Sequence, residues 1–212
     1  MILIGMFDSP FVRRVAVTMN LLKVPFEHRN WSVGKDFELI RGYNPVGRVP
    51  TLVLDGGEAL IESAAILDYL DDSVGADRAL LPAAGRERRE ALRLMAMAIG
   101  AAEKGVLQIY ETVFRPQEKR HQAWTDRCRT QMSAALAELE RAAQARAGAW
   151  LIGDRMTQAD ITASCVFTFL GDALAVGAAG AYPGLTALTR RCEALPEFSA
   201  SKAVFAAPGR PG

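Results

Sequence analysis

Cysteine is scarce in this chain: Cys128, Cys165 and Cys192 are the three in 212 residues. Their odd number, wide spacing and lack of any Cys-x-x-Cys pair argue against a disulfide framework or a thiolate zinc site, so they read as reduced thiols. Histidine is scarcer still. His28 and His121 have no carboxylate or cysteine at ligand spacing, so no metal is expected. Charge of one sign is not in excess either: 25 basic residues face 24 acidic ones, which removes any overall attraction to nucleic acid or an anionic membrane. Charges or glycines interrupt every apolar run well short of the roughly eighteen residues that span a bilayer. The opening Met1-Ile2-Leu3-Ile4-Gly5-Met6 carries neither a basic leader nor a signal-peptide core, and a cytoplasmic location is expected.

Half of the residues are apolar, enough for a sizeable core in one large domain or two modest ones. Ile2 to Met6 suits a buried strand, and Asp8-Ser9-Pro10 follows it. A serine that caps and a proline in the first turn start a helix. Val12, Val15, Ala16, Met19 and Leu22 then repeat at helical spacing until Val24-Pro25, before a second strand near 26–30. Residues 51–54 and 58–61 flank Asp55-Gly56-Gly57 and predict an antiparallel hairpin. From Ser63, Ile66, Leu67, Leu70 and Val74 return to helical spacing, with Gly75 at the stop. The order βαβ then ββα builds a mixed α/β sheet, whose ligands favour the carboxyl ends of parallel strands. Ser9 lies at such an end.

Beyond about residue 86 the signals are helical only: long patterns over about 86–114 and 118–147, divided by Arg115-Pro116, a third from Thr157 and a fourth after Pro183. Thr157-Gln158-Ala159-Asp160 has the form of a capping box. The chain is therefore expected to divide into an α/β domain over 1–76, a linker over 77–85 and an all-α domain over 86–212. The proline- and glycine-rich tail from Ala206 is expected to be disordered.

Three segments carry groups suited to chemistry, and each also has an ordinary structural use. Ser9 puts a hydroxyl beside helix amides, where an anion is favoured, or it simply caps its helix. Asn44 to Leu52 enters a strand through Pro50, a proline suited to a cis bond; Val49 before it would offer backbone groups to an extended peptide, or the segment is only a turn. Glu62-Ser63 opens a helix that Ser63 is expected to cap, its amide suiting a carboxylate and Glu62 suiting an ammonium group, or it is only a helix start. Arg86-Glu87-Arg88-Arg89 with Arg93 reads as a solvated face.

SPFVRRV at 9–15, NPVGRVPTL at 44–52 and ESAAILDYL at 62–70, in this order and spacing, resemble the glutathione-binding domain of cytosolic glutathione transferases of the serine-using, bacterial-like kind. Trp150-Leu151-Ile152-Gly153-Asp154 followed by the capping box resembles the C-terminal domain of the same family. The resemblance implies a thioredoxin-like domain followed by a helical bundle. It also implies a cytoplasmic homodimer, the third helix of one subunit packing on the fourth of the other, with glutathione as co-substrate.

By the same resemblance Ser9 is the catalytic hydroxyl, Val49 and cis Pro50 hold the cysteinyl unit, and Glu62 with Ser63 hold the γ-glutamyl end. Arg48 either meets the glycyl carboxylate or is only solvated. Phe11, Tyr110 and Phe114 line an apolar electrophile pocket or pack in the core, as does Trp124. Phe7 stands near the phenol of tyrosine-using members, and Ser9 where omega-like members have cysteine. The implied function is activation of the glutathione thiol for attack on small apolar electrophiles, with peroxidase or isomerase activity on the same thiol. An interaction protein or ligand carrier of the same fold is the alternative.

Overall fold

A computed structural model describes residues 1–145, 149–178 and 180–207. The chain forms two compact units, the first built from Met1–Leu80 together with 196–207 and the second from Leu81–Leu195.

In the first unit, β1 (Ile2–Ile4) leads into α1 (Pro10–Leu22), then β2 (Glu27–Arg29), the short α2 (Phe37–Arg41), β3 (Thr51–Val53), β4 (Ala59–Ile61) and α3 (Ser63–Val74). The sheet order is β2-β1-β3-β4. β1 runs parallel to β2 and antiparallel to β3, and β3 is antiparallel to β4. This is the expected α/β arrangement. The strands are only three residues each, so their side chains rather than their ladders must hold the sheet. Leu3, Ile4 and Leu52 are wholly buried, as are Val12, Val15, Ala16 and Met19 of the apolar stripe on α1. At about 1.5–3 kcal/mol for each large apolar side chain buried, this stripe outweighs any helix propensity of its residues. α1 packs on α3. A separate cluster of Ile4, Ile40 and Val53, with Trp31 and Val49 against it, uses α2.

That short α2 has no counterpart in the sequence reading, because five residues with one buried apolar position, Ile40, leave no period to detect. The hairpin forms as expected, Leu54 N–H donating to Glu58 O at 2.8 Å and Gly57 taking φ 88°.

In the second unit α4 (Gly85–Val113) packs on α5 (Gln122–Gln144) and α6 (Gln158–Leu174), and α7 (Pro183–Glu193) on α5 and α6; a 3-10 turn (Gln117–Lys119) precedes α5. α6 is buried almost all round. Gly105 lets α4 approach it, since a Cβ there would lie 2.4 Å from Leu170 Cδ2. The capping box is present: Asp160 accepts from Thr157 N–H at 2.8 Å and from Leu151 N–H at 2.7 Å. α7 has no cap of its own, and the buried Glu140 carboxylate accepts its free Gly184 and Leu185 amides at 2.7 and 2.8 Å.

One boundary differs from the expected division. The helical domain was expected to keep everything to residue 212, yet α8 (Pro196–Ser199) and the residues after it belong with the first unit. The cause is Arg13 of α1, whose guanidinium donates to Ser201 O at 3.0 Å and to Phe198 O at 3.2 Å while Phe198 is wholly buried. Of the expected disordered tail, residues 208–212 lie outside the described residues.

Candidate active site

The register of the sheet determines which loops meet. Ile4 of β1 faces Thr51 of β3, and Thr51 faces Ile61 of β4. One step further along the same end of the sheet stand Gly5, Pro50 and Glu62, each the first residue past its strand boundary. Three distant segments are thereby placed in one row.

Gly5 is the hinge of that row. Its φ of 132° suits glycine, and a Cβ there would lie 2.8 Å from Val49 Cβ and 2.5 Å from Val12 Cγ2. Absence of that carbon lets the segment before α1 lie against Val49. Ser9 follows, half-buried, in extended backbone at φ −72° and ψ 124°, and its Oγ accepts a long 3.5 Å bond from Val12 N–H. Among the described residues no acceptor takes the Ser9 hydroxyl proton. Beside it, burial pushes the Asp8 carboxyl above its ordinary range, partly offset by the Ala206 amide at 3.0 Å. Phe7 stacks on His28 with ring centroids 3.7 Å apart, and so belongs to the sheet end rather than to a phenol-like role.

The Val49–Pro50 bond is cis. Val49 is half-buried, and among the described residues nothing pairs with its backbone amide or carbonyl. Asn44 braces the loop, its amide donating to Arg48 O at 2.9 Å and to Thr51 Oγ1 at 3.2 Å.

At the start of α3, Ser63 was expected to cap. Glu62 caps instead: at φ 71° it takes a conformation rare for a side-chain-bearing residue, and its Oε1 accepts from Ser63 N–H at 3.1 Å. Arg48 pairs with Glu62 at 3.6 Å, both side chains more than half exposed, so this contact adds little stability. Ser63 is buried, and its Oγ accepts from Arg14 Nη2 at 2.8 Å.

Val49, Pro50, Arg48, Glu62 and Ser63 thus lie at one end of the first unit's sheet, and Ser9 caps α1 four residues past Gly5. Phe11 is half-buried on α1 in the same unit. Tyr110 and Phe114 lie in the second unit, their rings edge-to-face at 4.8 Å, and Lys104 Nζ stands 5.9 Å from the Trp124 ring. Among the described residues no group of three or more His, Cys, Asp and Glu could hold a metal ion, and no helix is long and apolar enough to cross a membrane.

The residues missed by sequence reasoning are Arg13 and Arg14, which are 4% and 1% exposed. A signal existed: α1 contains no acidic residue, and its only other polar side chains are Thr18 and Asn20.

The fold agrees with comparisons to known proteins. The family models described as Glutathione S-transferase, N-terminal domain, and Glutathione S-transferase, C-terminal domain, match residues 3–78 and 104–196. Glutathione S-transferase U8 of Arabidopsis thaliana is 28% identical over 56% of this chain, a stretch that spans about half of that protein, 52%. A glutathione S-transferase of Methylobacterium radiotolerans, solved in complex with glutathione sulfonate, superposes with a TM-score of 0.88 at 28% identity, covering 100% of this chain and 96% of the other. A glutathione transferase family member from Pseudomonas fluorescens with bound S-(propanoic acid)-glutathione is 30% identical, with a TM-score of 0.76 over 95% of this chain and 98% of that one. With both domain models in their order, and these matches along its length, the chain belongs to the glutathione S-transferase family.

Proposed function

We propose that this chain binds glutathione at the sheet end of its first unit and activates the thiol for attack on a small apolar electrophile. The observation that carries the reading is the single row of Gly5, cis Pro50 and Glu62, which sets an unpaired backbone edge beside a helix start, with the Ser9 cap four residues past Gly5. An extended cysteinyl unit would pair with the amide and carbonyl of Val49 as an added strand does. Its γ-glutamyl carboxylate would replace the Glu62 carboxylate on the Ser63 amide, and the released Glu62 would meet the ammonium group. Arg48, then free of Glu62, would meet the glycyl carboxylate.

The sulfur would come to rest beside Ser9. A free thiol of pKa about 8.5 is about 3% ionised at pH 7. Donation from the Ser9 hydroxyl, with the α1 amides behind it, favours the thiolate. A fall of about two pKa units raises the ionised share to about three quarters. The thiolate then attacks the electrophile, with Phe11, Tyr110 and Phe114 proposed as the apolar wall. Peroxidase or isomerase chemistry would use the same thiolate. A cytoplasmic homodimer belongs to the same reading, and sedimentation at several concentrations tests it.

The test is calorimetric titration with glutathione, followed by turnover on a panel of small electrophiles. Binding with turnover supports the reading. Failure to bind glutathione would move the assignment to an interaction protein; binding without turnover on any member would point to a ligand carrier. Retention of Pro50, Glu62 and Ser63 together favours the enzyme over an interaction protein that has lost glutathione recognition.

A further inference from the structure

We infer that Arg14 is a positioning residue for the carboxylate seat at Ser63: by occupying a lone pair of the Ser63 hydroxyl, it leaves that group to act as a proton donor toward the ligand. The inference rests on the glutathione reading above and deepens it. Arg14 is 1% exposed in the middle of α1, and its Nη2 lies 2.8 Å from Ser63 Oγ, across 49 residues of sequence. A guanidinium has five N–H groups and no acceptor, so the direction of this bond is not in question. Ser63 must accept.

A serine hydroxyl has one proton to give, and among the described residues no acceptor takes it. An acceptor arriving at the start of α3 would find that proton, the Ser63 amide and a buried positive charge behind both. A carboxylate fits this combination; an ammonium group does not. In the present structure the Ser63 amide is covered by the Glu62 carboxylate at 3.1 Å, an anion of this chain's own standing where the ligand's would stand. The neutral alternative to Arg14, an apolar residue of similar length, would leave the Ser63 hydroxyl free to turn its proton toward a backbone carbonyl.

The test is a cycle between protein and ligand. Glutathione is compared with its analogue in which the γ-glutamyl α-carboxylate is replaced by hydrogen, γ-aminobutyryl-cysteinyl-glycine, by titration against wild type, Arg14→Met, Ser63→Ala and the double variant. Arg14→Met is expected to weaken glutathione binding by about 10- to 100-fold, the range for a hydrogen bond to a charged group. The analogue should lose less than about twofold, and Ser63→Ala should abolish most of the effect of Arg14→Met. Equal losses for glutathione and analogue, or strictly additive losses for the two substitutions, would overturn the assignment and leave Arg14 a purely structural residue. If Arg14→Met does not fold, Arg14→Lys carries the same comparison. Lysine keeps the charge but not the planar fork, so a partial loss confined to glutathione supports the role and an equal loss on both ligands refutes it. Wild type that fails to bind glutathione at all would instead remove the reading on which the inference stands.

Discussion

Ser9 and Arg14 sit five positions apart on one helix and do opposite things with a hydroxyl. In the proposed mechanism Ser9 offers its own proton, whereas Arg14 would decide where the proton of Ser63 points. The first role makes a sharp kinetic statement. Ser9→Ala should bind glutathione nearly as well as wild type but lose turnover by about 25-fold at pH 7, the ratio of the ionised fractions for thiols of pKa about 6.5 and 8.5. The deficit should close above about pH 9, where both thiols are ionised. A pH-rate profile checks it; a deficit that persists unchanged at high pH would show that Ser9 acts otherwise than on thiol acidity. At Ala175 the backbone itself is the issue, because this C-cap of α6 holds φ 55° with a methyl group in the left-handed region. Ala175→Gly should therefore raise the stability of the second unit by about 1 kcal/mol, read as a higher denaturation midpoint.

Among the elements, α6 depends on one carboxylate. Asp160 is wholly buried and accepts from Leu151 N–H, Thr157 N–H and Thr157 Oγ1–H at 2.7, 2.8 and 2.9 Å. Asparagine would present an amino group to at least one of these donors. Asp160→Asn is expected to cost about 1–3 kcal/mol in urea unfolding, the penalty of a buried donor left unsatisfied. Burial raises the Asp160 carboxyl above its ordinary range, and the three donors only partly oppose this. A raised pKa means that the folded state holds the proton more tightly than the unfolded chain. The stabilisation from that proton is complete below about pH 4 and is lost as pH rises through the folded value. The asparagine variant should lack this slope. This capping box was legible in the sequence, because Thr157 and Asp160 are three residues apart and their bonds are local. Helix α1 was legible for the same reason, from Ser9, Pro10 and its apolar spacing. Helix α2 was not, since five residues fixed mainly by the burial of Ile40 contain no local pattern. Nor was the cap of α3: the Glu62 carboxylate accepts from the Ser63 amide that follows it, with Glu62 at a positive φ in the turn out of β4, which the residue type does not announce.

For the molecule as a whole, the residues 196–207 that follow α7 belong not with the second unit but with the first. α8 returns to the first unit through Arg13 and the buried ring of Phe198. Phe198→Ala should destabilise the first unit by about 3–5 kcal/mol, the usual loss for a buried aromatic ring, although the residue stands at the far end of the chain. Denaturation followed by limited proteolysis, with the fragments mapped to each unit, checks this; preferential loss of the second unit would contradict it.

By itself the sequence determined the secondary elements that rest on local contacts, the α/β and all-α halves, and the three motifs proposed to hold glutathione, because caps, turns and apolar periods are written within a few residues of one another. Tertiary structure alone decided that Gly5, Pro50 and Glu62 stand in one row, that Arg14 reaches Ser63, and that Arg13 recovers the C-terminal segment. These contacts join residues tens to nearly two hundred positions apart. A long cationic side chain looks the same in sequence whether it is solvated or buried, and only the partner waiting across the fold sets which it becomes.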